Sequence, residues 1–493
     1  VTEAEPQLPA GEFLADMPPE QFRALAHATV DQIANYLERL ASLPPLSQAE
    51  PGSLANSLPT EAPAAGEPME QILADVDRLL LPGITHWAHP RFFAYFTSSG
   101  SAAGILGEML TAGINVNAML WRTSPAATEL EWVVCSWLAR MMGLPEGLDG
   151  HINDTASAST LVALAAAREA LDRDIRQRGL AGRRELPPIR VYASEQAHSS
   201  VEKAVITLGL GRDGFRAIPT DPDFRMDVAA LRRAVEEDLG RGLLPAAVVA
   251  TVGTTATTSI DPVEAIAELC EEHRLWLHVD AAHGGAMAVV PEWRGVLAGA
   301  ERAQSLVVNP HKWLFTPIDC SVLYTSRPQV LKRAFSLVPD YLSTPEADRD
   351  TGFGARNLMD YGFSLGRRMR ALKLWFVLRY YGRDGLAERV RQHVRLAHWL
   401  RGRIEISPGW ELCAPVPMAT VCFRHRPGGV TDEGELEAHN RQILALVNSS
   451  AEAFISHAVL GGRFVLRASV GNIRTGPDDV AALWQVLQRA AEV

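Results

Sequence analysis

The chain has 493 residues, 47% of them hydrophobic, with a formal net charge of −11, enough to build two or three domains with large cores. The acidic balance excludes nucleic acid as the main partner, because phosphate binding needs clustered lysine and arginine. The five cysteines (Cys135, Cys270, Cys320, Cys413, Cys422) are scattered without C-x-x-C spacing, which argues against a disulfide framework or a zinc site and predicts a reducing cytoplasm with no bound metal.

The N-terminal stretch is acidic and proline-rich, without the cationic start and apolar core of a signal peptide, and no apolar run reaches membrane-spanning length. After Pro18-Pro19, apolar residues at Phe22, Leu25, Ala26, Ile33, Leu37 and Leu40 predict an amphipathic helix opened by proline. A Pro/Ser/Gly/Ala-rich connector leads to a second helix, "MEQILADVDRLLL". Residues 1–101 are therefore helices and linkers too thin to fold alone, expected to pack on a partner subunit.

Residues 102–372 read as α/β. Helices such as "TSPAATELEWVVCSWLARMMG" and "DPVEAIAELCEEHR" alternate with short runs: "IRVYAS", "AAVVATVG", "LWLHVDAA", "SLVVNPHK", "CSVLYTS". Strands apolar on both faces, separated by helices, predict a mostly parallel sheet covered on both sides. Residues 373–493 begin with two long helices and continue into the strands "MATVCFRHRP" and "RFVLRASVG", a smaller α+β domain.

Gly209, Gly211 and Gly214 spell G-x-G-x-x-G, but a helix-like segment precedes them, so helix capping and a turn explain them better than dinucleotide binding. Other strand ends carry more chemistry. Asp280 closes "LWLHVD" and is followed by small residues that leave room for a flat ligand, where open α/β sheets bind their ligands. The helix start "NDTASAST" offers backbone N–H groups and hydroxyls suited to a phosphate. Thr254 and Thr255 end another strand, and His198 follows "RVYAS". Lys312 is wedged between His311 and Trp313 in an apolar segment. Desolvation there lowers its pKa and makes it a nucleophile toward a carbonyl. A phosphate cradle, a flat ring, a carboxylate and a nucleophilic lysine are together what pyridoxal 5'-phosphate requires.

The motifs "HPRFFAYF", "SPAATELE", "SEQAHSS", "HVDAAHGG", "NPHKW" and "LGRRMRALKLWF" carry a resemblance to the group II pyridoxal phosphate-dependent decarboxylases, in the aromatic-L-amino-acid decarboxylase branch. The resemblance covers nearly the whole chain. It implies the aspartate-aminotransferase-like fold (fold type I), a homodimer with active sites at the interface, and decarboxylation of an L-amino acid to its amine. Carried over by position, Lys312 is the Schiff-base lysine, Asp280 pairs with the pyridinium nitrogen, Ala282 lies under the ring and His198 stacks on it. Ala156, Ser157 and Asn309 anchor the phosphate, with Thr254 and His311 as further cofactor contacts. Tyr341 is the mobile-loop tyrosine that delivers the proton, supported by His198.

For the substrate the resemblance points to Trp87, Ser98, Asn117, Met119 and Gly366, with Phe93 and Phe96 as further aromatic walls. Glycine at 366 leaves room for a bicyclic ring. The chain departs from the animal enzymes in Thr97 for proline, Asn117 and Met119 for an isoleucine and an aromatic, and His283 for a tyrosine. Arg91 and Arg122 keep a glutamate or aspartate decarboxylase as an alternative. An aldehyde synthase is a second alternative, since relatives with phenylalanine at the loop tyrosine tend to that reaction.

Overall fold

The computed structural model describes residues 16–337 and 355–492, so Tyr341 lies outside the described residues. The chain forms two compact units, Val1–His86 and Trp87–Val493.

In the first unit, helix Pro19–Arg39 starts with proline at its first position, where the missing N–H costs nothing. Gln32 Nε2 donates to Leu73 O at 2.9 Å and to Asp77 Oδ2 at 3.0 Å, which ties this helix to the one at Met69–Asp75. Tyr36 OH meets His86 Nδ1 at 3.0 Å. Apolar Phe22, Val30, Met69 and Ile72 remain exposed, so this unit has little core of its own.

The second unit is built on a seven-stranded sheet: β1 (Asp149–Asn153), β2 (Ile189–Ser194), β3 (Phe215–Ile218), β4 (Leu244–Thr251), β5 (Trp276–Asp280), β6 (Ser305–Val308) and β7 (Ser321–Thr325). Their spatial order is β1-β7-β6-β5-β4-β2-β3. Neighbours from β3 to β6 run parallel, whereas β7 is antiparallel to both β6 and β1. Every residue of β5, β6 and β7 is buried, as expected of strands covered on both faces. The sequence pattern missed β1 and β3. "DGHIN" has a single strong apolar residue, and "FRAI" is a half-exposed edge strand.

Gly104 and Gly107 let helix Ala102–Ile114 approach its neighbours closely. A Cβ on Gly104 would lie 2.2 Å from Pro317 Cδ, and one on Gly107 2.7 Å from Lys373 Cα. The two predicted long helices run through Ala371–Ile406, broken by the non-helical backbone of Gly382 (φ 62°, ψ 175°).

A second sheet, of order β10-β11-β9-β8, is formed by β8 (Trp410–Leu412), β9 (Thr420–His425), β10 (Ser456–Leu460) and β11 (Arg463–Ser469). β10 and β11 are joined by Gly461-Gly462 at φ 54° and 78°, the two-residue hairpin turn that only positive φ allows. The segment 87–101 belongs here. Phe93 N donates to Phe454 O, and Ser469 N to Phe93 O, each at 2.8 Å. Among the described residues, no helix is long and apolar enough to cross a membrane.

Candidate active site

Strand register brings five segments to one edge. Thr251 pairs with Asp280 and Asp280 with Val307, so β4, β5 and β6 end level. β1 and β6 both run antiparallel to β7, so Asn153 and Val308 finish on that same edge, opposite Ser321 and Val322. The residues just past these ends, and His198 past β2, line one cavity of 150 Å³. Its wall includes Thr155, Ala156, Ser157, His198, Asp280, Ala282, Asn309, His311 and Lys312.

Lys312 is held by its own turn, its N–H donating to Asn309 O at 3.0 Å. Burial pulls its pKa below the usual lysine value; the nearby Asp280 opposes this and Arg467 adds to it. Its Nζ lies 5.3 Å from the centre of the Phe96 ring, and the Arg467 guanidinium 4.9 Å from that same ring. Asp280 Oδ1 accepts from Ala282 N at 3.1 Å, which fixes the carboxylate at the strand end. His311 Nδ1 accepts from Cys320 N at 2.9 Å, and burial pushes its pKa down to about 4. His198 is also held below its usual value, chiefly by burial, against the pull of Asp280.

At the start of helix Ala156–Glu169, the Thr155 hydroxyl caps Ala158 N at 3.4 Å. The first N–H groups of a helix have no partner within it, and the cavity lies at their end. Four further buried polar atoms on the wall also lack a partner: Thr251 Oγ1, Asn309 Oδ1 and both ring nitrogens of His283. Buried polar groups are normally satisfied. An edge combining free N–H groups, unpaired polar atoms, a carboxylate and a neutral-leaning amine fits a flat, phosphorylated aldehyde.

Several expected residues sit elsewhere. Thr254 is fully buried, and its hydroxyl braces the loop by accepting from Ser259 N at 3.0 Å and meeting Thr257 Oγ1 at 3.0 Å. Thr251 and Thr255 face the cavity in its stead. Of the small residues after Asp280, Ala282 lines the cavity, whereas Gly284 serves the chain's own packing, since a Cβ there would clash with Val252 O. Phe93 is core rather than wall. Trp87 stacks 5.8 Å from Tyr95 and, like half-buried Ser98, is not on the cavity wall. Asn117, Met119 and Gly366 form a separate group: Asn117 Nδ2 lies 3.5 Å from Met119 Sδ, and Asn117 Oδ1 accepts from Arg367 N at 2.9 Å. Arg91 pairs with Asp479 at 3.2 Å, and Arg122 lies in the Trp121–Thr123 turn; neither lines the cavity. The arginine beside the lysine is Arg467 of β11, 3% exposed, with Nη2 unpaired and its pKa lowered by burial to about 10. A cation inside the apolar run "FVLRAS" was the signal for it, of the same kind as Lys312.

The model of the pyridoxal-dependent decarboxylase conserved domain matches residues 51–426. Tyrosine decarboxylase 3 of Petroselinum crispum is 41% identical over 485 residues, covering 96% of this chain and 92% of that protein. A phenylacetaldehyde synthase of a Rosa hybrid cultivar is 38% identical over 503 residues, covering 99% and 97%. Among solved structures, Oryza sativa TDC with PLP and tryptamine superimposes with a TM-score of 0.93 at 35% identity, covering 97% and 99%. With kinship along nearly its full length and a half-buried lysine where the strand ends meet, the chain belongs to the pyridoxal-dependent decarboxylase family and takes pyridoxal phosphate as its cofactor.

Proposed function

We propose that the substrate is an aromatic L-amino acid, decarboxylated to its amine. The observation that carries this reading is that Lys312 and Asp280 line one cavity together with the stacked Phe96 and His283 rings. Relatives named for tyrosine decarboxylation support the aromatic class.

Lys312 would hold the cofactor's aldehyde carbon, Asp280 its ring nitrogen, and Ala156, Ser157 and Asn309 its phosphate, with Ala282 and His198 against its ring. The bound cofactor supplies an electron sink for the pair left behind by CO₂. The protein does the rest. Burial lowers the Lys312 pKa and so favours the neutral amine, the form that attacks a carbonyl. The stacked Phe96 and His283 rings close part of the cavity wall, and a drier cavity strengthens the charge interactions inside it. When the Cα–carboxylate bond breaks, its electron pair stays with Cα, and one proton must then reach that carbon. Tyr341 is the proposed donor.

The working form proposed is a homodimer in a reducing cytoplasm. Helix Ala102–Ile114 leaves Leu106, Met109, Leu110 and Ile114 exposed at helical spacing, an uncovered apolar stripe. Asn117, Met119 and Gly366 would then serve the site of the second copy, with the N-terminal helices Pro19–Arg39 and Met69–Asp75 wrapping it. Residues 102–372 hold the cofactor and 373–493 form the smaller domain. The five cysteines are free and buried, which suits a reducing compartment.

The test is a panel of amino acids assayed for CO₂, together with borohydride reduction of the holoenzyme. Amine from aromatic substrates and a pyridoxyl adduct on the Lys312 peptide are expected. Preference for glutamate or aspartate, or an adduct on another lysine, overturns the reading. An aldehyde synthase is the second reading, favoured by the likeness to the Rosa protein. Oxygen uptake matched by aldehyde and ammonia would establish it.

A further inference from the structure

His198 receives two donors on one ring nitrogen. The backbone N–H of Ser200 reaches Nδ1 at 3.2 Å, and the Ser200 hydroxyl lies 2.8 Å from the same atom. An N–H can only donate, so Nδ1 presents its lone pair, and the hydroxyl must donate to it as well. The ring proton therefore resides on Nε2. The local chain builds this arrangement. Val201 N donates to His198 O at 3.0 Å, closing a turn that lays Ser200, the first residue of helix Ser200–Thr207, back over the ring. Ser200 is buried by that turn, while His198 lines the cavity.

We propose that Ser200 is a positioning residue that locks His198 in the Nε2–H tautomer. His198 then offers the cavity a fixed N–H donor and is not the source of the proton delivered to the substrate carbon.

A neutral imidazole N–H is far too weak an acid to protonate carbon directly, so His198 would have to charge first. Charging adds a proton at Nδ1, which breaks the bond from the Ser200 N–H and forces the Ser200 hydroxyl to turn from donor to acceptor. Burial opposes the charge, as do Lys312 from the β6 end and Lys203 from the same helix; Asp280 from the β5 end favours it. The electron pair left on Cα is then closed by a proton from another acid. The inference rests on the decarboxylase reading for its meaning, but the tautomer lock can be read without turnover.

Diethyl pyrocarbonate attacks an imidazole nitrogen through its lone pair. In the apoprotein, its labelling of His198 is followed by mass spectrometry of the His198 peptide between pH 5.5 and 8. The wild type should label slowly, because Nε2 carries the proton and the Nδ1 lone pair is engaged. S200A should raise the plateau rate several-fold and move the midpoint up by about 0.5–1 pH unit, the effect of one neutral hydrogen bond. S200T should restore the wild-type pattern, and S200C, isosteric with a weaker donor, should fall between. In the holoenzyme, S200A should add an acid limb to the pH profile of CO₂ release. If S200A and S200C both label as the wild type does, in rate and midpoint, the lock does not exist. If labelling responds as expected but no amino acid releases CO₂, the lock stands and the decarboxylase reading fails.

Discussion

Phe96 lies flat on His283, with ring centroids 3.7 Å apart and planes 7° from parallel, and His283 is stacked in turn on Trp313 at 4.8 Å and 3°. The His283 imidazole is thus held by its faces, while its two nitrogens have no protein partner. His283→Phe keeps the stack and removes only the nitrogens. The apoprotein melting temperature should therefore stay level or rise, because an unpaired buried polar group is costly. Pyridoxal phosphate retention, measured by dialysis and absorbance, should weaken by up to about tenfold if one nitrogen meets the cofactor. A clear drop in apoprotein melting temperature would show that the protein itself uses those nitrogens.

Stability should drain on mild acidification. Burial pushes His278, His311 and His393 each down to about 4, whereas an unfolded histidine titrates near 6.5. The folded values are the lower ones, so this stability is complete above about pH 6.5 and is lost as pH falls toward 4. At pH 5 each histidine has cost about 2 kcal/mol, on the order of 6 kcal/mol together. Asp261, raised by burial to about 6, works the other way and offsets about 1 kcal/mol. Scanning calorimetry should record a steep fall in melting temperature between pH 6.5 and 5. A flat profile would mean that these rings are already charged or open to solvent.

Tyr341→Phe should leave cofactor binding and CO₂ release intact while diverting the product. Aldehyde and ammonia should accumulate with oxygen uptake, in place of amine. Amine formation at the wild-type rate in this variant would assign the proton to another group.

Gly366→Ser should narrow the substrate range. A Cβ at Gly366 would stand 3.9 Å from Asn117 Nδ2, so a serine fits against that side chain without displacing it. The added hydroxymethyl takes space a bicyclic ring would use. Turnover of tryptophan should fall by about 10-fold or more relative to tyrosine, within the range a single hydrophobic contact supplies. Equal loss on both substrates would place Gly366 away from the substrate ring.

The strand ends were legible because each has a local signature. Lys312 and Asp280 stand out as charges closing apolar runs, and the hydroxyl-rich start of helix Ala156–Glu169 stands out by composition. What the sequence hid is set by side-chain direction and by distant pairing. Thr251 and Thr254 look alike in "TVGTT", and only the loop decides that Thr254 turns to Ser259 while Thr251 faces the cavity. Arg467 lies far along the chain from Lys312, and nothing local says that β11 brings it to the Phe96 ring. Arg91 looked available for a substrate carboxylate until its partner, Asp479, was seen at the start of helix Pro477–Ala491.

The place of β1 has a consequence for how the protein is made. β1 leaves the ribosome early, yet its hydrogen-bonding partner is β7, and residues 154–320 must be synthesised in between. Until β7 arrives, β1 is a strand without a neighbour, and such edges template wrong pairings. Sheet closure is therefore a late, long-range event of the kind that makes folding slow. Nascent chains stopped before Ser321 should depend on chaperones and be unable to capture the cofactor, since the end of β1 that leads into the Ala156–Ser157 wall is not yet joined to the sheet.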